Sequence, residues 1–539
     1  MKRETGPVSH LPDPVGDAFA GPWRGRHLDG AALGEDRTLS ADVVIVGSGA
    51  GGGVCAEILA QAGLSVILVE EGPLRTSRDF NMLEREAYPA LYQESAGRKT
   101  VDEGIGILQG RAVGGSTLVN WCSSFRTPAA TLAHWREAHG LAGFTPEALA
   151  PWFERMEARL SVAPWTVPPN RHNGLLAEGA ARLGLAPKVI PRNVKGCWNL
   201  GYCGMGCPTN AKQSMLVTTI PAAMAAGATL LSRVRAEALL HDGRRVQGVR
   251  AHPVDSFGQV RRDAALTLRA RHVVVAAGAI GSPALLLRSR APDPYGTLGA
   301  RTFLHPVVLS AATFVEAVEP FAGAPQSVYV DDYLWPADGT LGFKLEVPPV
   351  HPLLAAVVMG DFGARHRDFM AGLAHGHTIL ALVRDGFGPD SPGGRVVLDG
   401  HGDPRLDYPL NAAFWQTARR AWQAMAEIQF AAGARSVMPV HLDARPMADP
   451  GTAAVQLARL PLQAGRAKVV SAHVMGGCAM SPEPPGGVVR PDGGHHQLEG
   501  LTVADGSLLP TSLGVNPQLT LYALAARIAT GLAATLARG

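Results

Sequence analysis

Residues 471–491, SAHVMGGCAMSPEPPGGVVRP, set one histidine, His473, among small and apolar residues, with a thiol at Cys478 five positions on. An imidazole so placed can ligate a metal, sit as a hydrogen-bonded core residue, or take a proton from a substrate. No second histidine or carboxylate stands at ligand spacing in the segment, which disfavours the metal. Cys478 reads as a small packing residue. A base needs a reaction to serve, and a second constellation near the N-terminus supplies one. In LSADVVIVGSGAGGGVCAEILAQAGLSVILVEEG (39–72), Gly47, Gly49 and Gly52 fit G-x-G-x-x-G, with Gly51 between them and an acid, Glu70, 23 residues after Gly47. The first glycine makes a tight turn, the second lets backbone N–H groups reach a pyrophosphate, and the third lets helix and strand approach. The acid can accept from ribose hydroxyls. Such an acid suits NAD and FAD equally. VVVAAGAIGSP (273–283) is strand-like but lacks the spacing of a second fingerprint. A single site leaves an NAD dehydrogenase or a flavoenzyme taking electrons directly from its substrate.

The elements that must position these groups are legible around them. A strand at Asp42–Val46, an Ala-rich helix to about Ala62 and a strand at Ser65–Val69 form a βαβ unit, with the helix N-terminus facing the anion. QGRAVGGSTLVNW (109–121) is a glycine-rich loop, GAIGSPALLLRS (278–289) follows an apolar strand, and 498–533 reads as a strand ending near Asp505, a Gly/Pro-rich loop and a long apolar helix. This ordered set resembles the glucose–methanol–choline (GMC) family of FAD-dependent oxidoreductases from about residue 40 onward.

The resemblance implies FAD, and an α/β fold: a doubly wound Rossmann-like FAD-binding domain with an interleaved α+β substrate domain built on an antiparallel sheet. It implies that Arg111, Gly114, Gly115, Ser116 and Asn120 run along the flavin and pyrophosphate, that the Val234 backbone meets the adenine end, and that Asp505 lies near the ribityl-pyrophosphate. Asn516, Pro517 and Gln518 then open the last helix against the flavin. His473 becomes the base over flavin N5 and Asn516 its hydrogen-bonding partner, so that a hydroxyl proton and a hydride leave one carbinol. Position 119 is Val where some relatives carry a flavin-linked histidine, which implies non-covalent FAD. Arg290 stands where the family's second signature usually has glycine, so the turn there is expected to differ.

GCWNLGYCGMGCPTNAKQS (196–214) holds Cys197, Cys203 and Cys207. Packing in a tight loop is the favoured reading. An iron–sulfur cluster is an alternative, weakened by Cys197-Trp198 where cluster-bearing relatives have adjacent cysteines, and a disulfide or zinc site is a third. The GYCGxGC and FLHPVV (303–308) stretches resemble the long-chain fatty alcohol oxidase branch, which points to hydrophobic primary alcohols. Dehydrogenation of another lipid-like substrate and hydroxynitrile lysis without redox change are the rivals. The electron acceptor (oxygen, quinone or carrier protein) is left open.

Composition bounds the rest. At 539 residues the chain exceeds one core. The expected division is a lead-in at 1–38, FAD-binding parts at 39–125, 196–320 and 466–539, and substrate-domain parts at 126–195 and 321–465. A net charge of +3 without a basic run leaves no nucleic-acid footprint. The start lacks a signal-peptide core, no apolar run is long enough to span a membrane, and six cysteines suit a reducing cytoplasm. The apolar residues of HPLLAAVVMGDF (351–362) and its neighbours read mostly as ordinary core, with a greasy channel wall and peripheral membrane contact as the alternatives.

Overall fold

Two sheets divide the work, one carrying the nucleotide-binding unit and the other roofing it. The computed structural model describes residues 26–359, 362–388 and 391–538. The first sheet has eight strands, and its parallel centre is built from Arg37–Val46, Val66–Val69, Thr229–Ser232 and Leu266–Val275. Leu501–Val503 pairs parallel with Leu266–Val275, and an antiparallel pair, Val234–His241 and Val246–Pro253, extends one side. The central strands are buried at Val43–Val46, Val66–Val69 and Val273–Val275, as a parallel sheet covered on both faces requires. Helix Ala50–Gln61 packs against Gln518–Leu536 and Thr219–Ala225 on one side. Among the described residues, Gln518–Leu536 is the one helix long and apolar enough to cross a membrane, and 56% of its apolar window is buried inside the protein.

The second sheet, also eight-stranded, centres on Val307–Thr313, Gly376–Val383 and Phe343–Glu346, antiparallel to one another. One face is closed by helix Ala412–Ala431, which Asn411 caps by accepting from Phe414 N–H at 2.9 Å. Past its end, Gly433 takes a left-handed φ of 98° that a side chain would oppose. Trp422 is buried there and donates its indole N–H to Leu309 O at 3.2 Å. The other face of the sheet carries Val307, Leu309, Leu380 and Leu382 toward the first domain.

The structure moves several expected boundaries. The lead-in falls outside the described residues up to 25, but His27–Asp29 already pairs with Thr229–Ser232 and the next strand begins at Arg37. Helices Ala129–His139 and Pro146–Arg159, expected in the substrate part, bury Leu132, Trp135, Leu149 and Phe153 in the core shared with Gln518–Leu536. Strand Val307–Thr313, expected in the FAD-binding part, is central to the second sheet. Apolar spacing reveals that a face is buried without revealing against what. Arg290 takes a left-handed φ of 51°, a conformation that favours glycine.

Candidate active site

A continuous cavity of about 1030 Å³ runs between the two sheets, beyond the carboxyl ends of the parallel strands, where doubly wound folds take their ligands. Gly47, Gly49, Gly51, Glu70, Arg111, Gly115, Ser116, Asn120, Val234, Asp505, Pro517 and Gln518 line it, as do His473 and Asn516. Gly52 and Gly114 do not. A Cβ on Gly52 would stand 1.8 Å from Gly47 O, so this glycine serves helix–strand packing. Gly114 takes φ 98° and donates its N–H to Ser48 Oγ at 2.9 Å, shaping the loop from behind.

The residues fit a dinucleotide. Helix Ala50–Gln61 has no side-chain cap at Gly49, which leaves its first-turn N–H groups for an anion. A Cβ on Gly49 would meet nothing closer than 3.8 Å, so protein packing does not demand glycine there, whereas a ligand lying on the turn does. Glu70 is buried and accepts from Ser48 Oγ, Ser48 N–H and Gly72 N–H. Burial pushes its carboxyl up while these donors restrain it. Arg111 faces the same end, held by Glu71 at 2.9 Å and by Gly258 O. Asp505 accepts from Gly278 N–H, Ser282 Oγ, Ser507 N–H and Ser507 Oγ, which fixes it at the N-terminus of helix Gly278–Arg288. Asn120 donates to Gln518 Oε1 at 2.6 Å, and Gln518 in turn donates to Ser123 O, tying loop 109–121 to the last helix.

At the other end the ladder between Thr302–Leu304 and Val474–Gly476 sets Leu304 opposite Val474. One step further, His305 and His473 meet, Nδ1 to Nδ1, at 3.0 Å. Gly514 donates its N–H to His305 Nε2 at 3.0 Å. A neutral His305 therefore carries its hydrogen on Nδ1 and donates to His473, whose own hydrogen falls on Nε2; the network assigns these tautomers. Burial, with the Lys344 cation adding to it, pushes His473 down to about 3. His305 is driven well below its usual value by burial, with His473 and Lys344 contributing. Asn516 is buried and sits just ahead of the last helix. Its Oδ1 accepts from Lys344 Nζ at 2.7 Å and its Nδ2 donates to Glu346 Oε2 at 3.3 Å.

Sequence reasoning missed Lys344 and Glu346 and gave His305 no role in the site. Two charged residues at i and i+2 within the apolar strand FKLE (343–346) were the available signal, because that spacing puts both on one face. The three loop cysteines are not gathered as ligands, and no metal-holding group of His, Cys, Asp or Glu occurs among the described residues. Cys197 accepts from Asn199 N–H, Cys207 lies 3.5 Å from Thr209 Oγ1, and Cys203 accepts from Arg192 at 3.7 Å. Cys203 instead pairs with buried Cys122, whose hydrogen bond, with the Arg192 and Lys212 cations, holds it well below the usual thiol range.

Fold and cavity together define an FAD-binding oxidoreductase. Family models described as GMC oxidoreductase match residues 88–307 and 389–525, and one described as FAD binding domain matches 42–80. The chain belongs to the GMC oxidoreductase family. It is 34% identical over 495 residues to a GMC-type oxidoreductase of Mycobacterium tuberculosis, covering 91% of this chain and 75% of that protein. With the long-chain-alcohol oxidase FAO4A of Arabidopsis thaliana it shares 27% identity, over 95% of this chain and 71% of the relative. Formate oxidase from Aspergillus oryzae shares the fold at TM-score 0.67 and 16% identity, over 94% of this chain and 99% of that one.

Proposed function

We propose that this flavoprotein oxidises a hydrophobic, long-chain primary alcohol to the aldehyde, with non-covalently held FAD. The observation that carries the reading is the juxtaposition of His473 and Asn516 with an apolar roof. Val307, Leu309, Leu380 and Leu382 line the cavity beside the two polar groups, and the wall continues along helix Pro352–Met359 through Leu354 and Val358. An alkyl chain gains on the order of 0.8 kcal/mol per buried methylene in such surroundings, while a sugar would bury hydroxyls without partners. FAD, when bound, accepts the hydride.

The side chains manage the oxygen and its proton. In the resting tautomer His473 offers Nε2–H to the substrate oxygen, and Asn516 is the neighbouring amide. His473 receives the hydroxyl proton at Nε2 only in the alternative tautomer, with Nδ1–H directed at His305 and the Gly514 contact given up. Proton uptake is thereby coupled to a tautomer change in the pair. Val119 leaves no imidazole for a flavin tether at that position.

The test is product analysis with straight-chain primary alcohols from ethanol to hexadecanol. kcat/KM is expected to climb by at least tenfold from the shortest to the long members, with the matching aldehyde formed. Equal turnover of short and long alcohols, or preference for a sugar, would contradict the assignment.

A further inference from the structure

Lys344 and Glu346 are both fully buried, with Nζ 2.6 Å from Oε1. Stability alone does not account for them, because replacing a buried ion pair by apolar residues of similar size is often neutral or favourable. Their placement is specific. Lys344 donates to Asn516 Oδ1 at 2.7 Å, and Asn516 Nδ2 donates to the same carboxylate that Lys344 neutralises. The Phe125 ring centroid lies 3.7 Å from Nζ, closing the ammonium's third side. Gln326 donates to Glu346 Oε2 and accepts from Ser123 Oγ, so the carboxylate is itself held.

We infer that the Lys344–Glu346 pair is a positioning device that fixes the orientation of the Asn516 amide. A flipped amide would set NH2 against the ammonium and C=O against the carboxylate, and both contacts would repel. With the observed orientation locked, the Asn516 hydrogen not engaged by Glu346 is what the amide offers the cavity it lines. The substrate oxygen therefore meets an N–H donor and never a carbonyl, the polarity needed where negative charge develops. The ammonium also sits close enough to both imidazoles to oppose their protonation. Lys344 and Glu346 act through Asn516 and need not touch the substrate.

This inference rests on the reading of Asn516 as the oxygen's partner, and the experiment separates the two. K344M, the double variant K344M/E346L, N516A and the triple variant are purified with FAD, and anaerobic flavin reduction by a long-chain alcohol is measured alongside thermal stability. K344M is expected to lose both stability and rate, since it strands a buried carboxylate. K344M/E346L is expected to regain stability while its limiting reduction rate stays about 10- to 100-fold below wild type, with little change in apparent substrate affinity. The pair's removal should add nothing to N516A. A stable double variant reducing at the wild-type rate overturns the positioning role. N516A reducing at the wild-type rate overturns the reading of Asn516 and this inference with it.

Discussion

In the proposed mechanism His473 works as a neutral ring, and its surroundings decide over what pH range it is one. Burial and Lys344 push it down to about 3 from an ordinary 6.5. The unfolded chain binds a proton below about pH 6.5 that the folded chain refuses until about pH 3, so this group lowers stability as pH falls through that window. The same shift sets the acid limb of catalysis. The flavin reduction rate is expected to stay flat between pH 7 and 5, and K344M is expected to move the limb upward. Stopped-flow reduction across pH checks this, and a wild-type limb at the ordinary histidine value would contradict it. The sequence singled out His473, Asn516 and the glycine turn, because each lies in a local motif. It could not pair His473 with His305, 168 residues away, or either with Lys344: those contacts exist only once strands distant in sequence pair, Thr302–Leu304 with Val474–Gly476 and Val307–Thr313 with Val469–Ser471.

At the scale of elements, the site depends on two packings that leave no spare room. Helix Ala50–Gln61 approaches the chain before Asp505 so closely that a Cβ on Gly51 would lie 1.6 Å from Ala504 O. G51A is expected to spread helix and strand and to abolish FAD retention through gel filtration, read from the visible absorbance of the eluted protein. Retention of a full complement of flavin would contradict that account. Helix Ala412–Ala431 braces the roof through Trp422, which fills the space behind Leu309. W422A should destabilise the protein by about 3–5 kcal/mol in chemical denaturation. A loss under 1 kcal/mol would mean that the helix does not brace the sheet. The segment AAFWQTARRAWQAMAEIQFA (412–431) carries its apolar residues at the three- and four-residue spacing of a helix, and the βαβ unit was legible from its turn. HPLLAAVVMGDF proved to carry a helix, Pro352–Met359, with Leu354, Val357 and Val358 on the cavity and Val357 largely exposed at that wall. A nearly all-apolar run of this length has no periodicity from which to tell its faces apart.

The whole molecule is a clamp of two sheets around one cavity, and the chain passes between them repeatedly. That interleaving is why the expected domain boundaries shifted at Ala129–Arg159 and Val307–Thr313 while the fold class held. It is also why the chemistry is assembled from distant segments. The turn at Gly47–Gly52 and the acids Glu70 and Asp505 belong to the first sheet, His473 follows a strand of the second, and Asn516 stands at the seam just ahead of the last helix. The loop with Cys197, Cys203 and Cys207 lies outside this lining, and Cys203 is tied to Cys122 just past loop 109–121.

The most direct measurement is anaerobic reduction of the FAD-loaded enzyme by hexadecanol in detergent, wild type against H473A, followed by the visible flavin band. The wild type should bleach and H473A should bleach about 10²–10⁴-fold more slowly while binding FAD as well as before. A flavin that stays oxidised in the wild type with every alcohol tried, or bleaches equally fast in both proteins, would contradict the account.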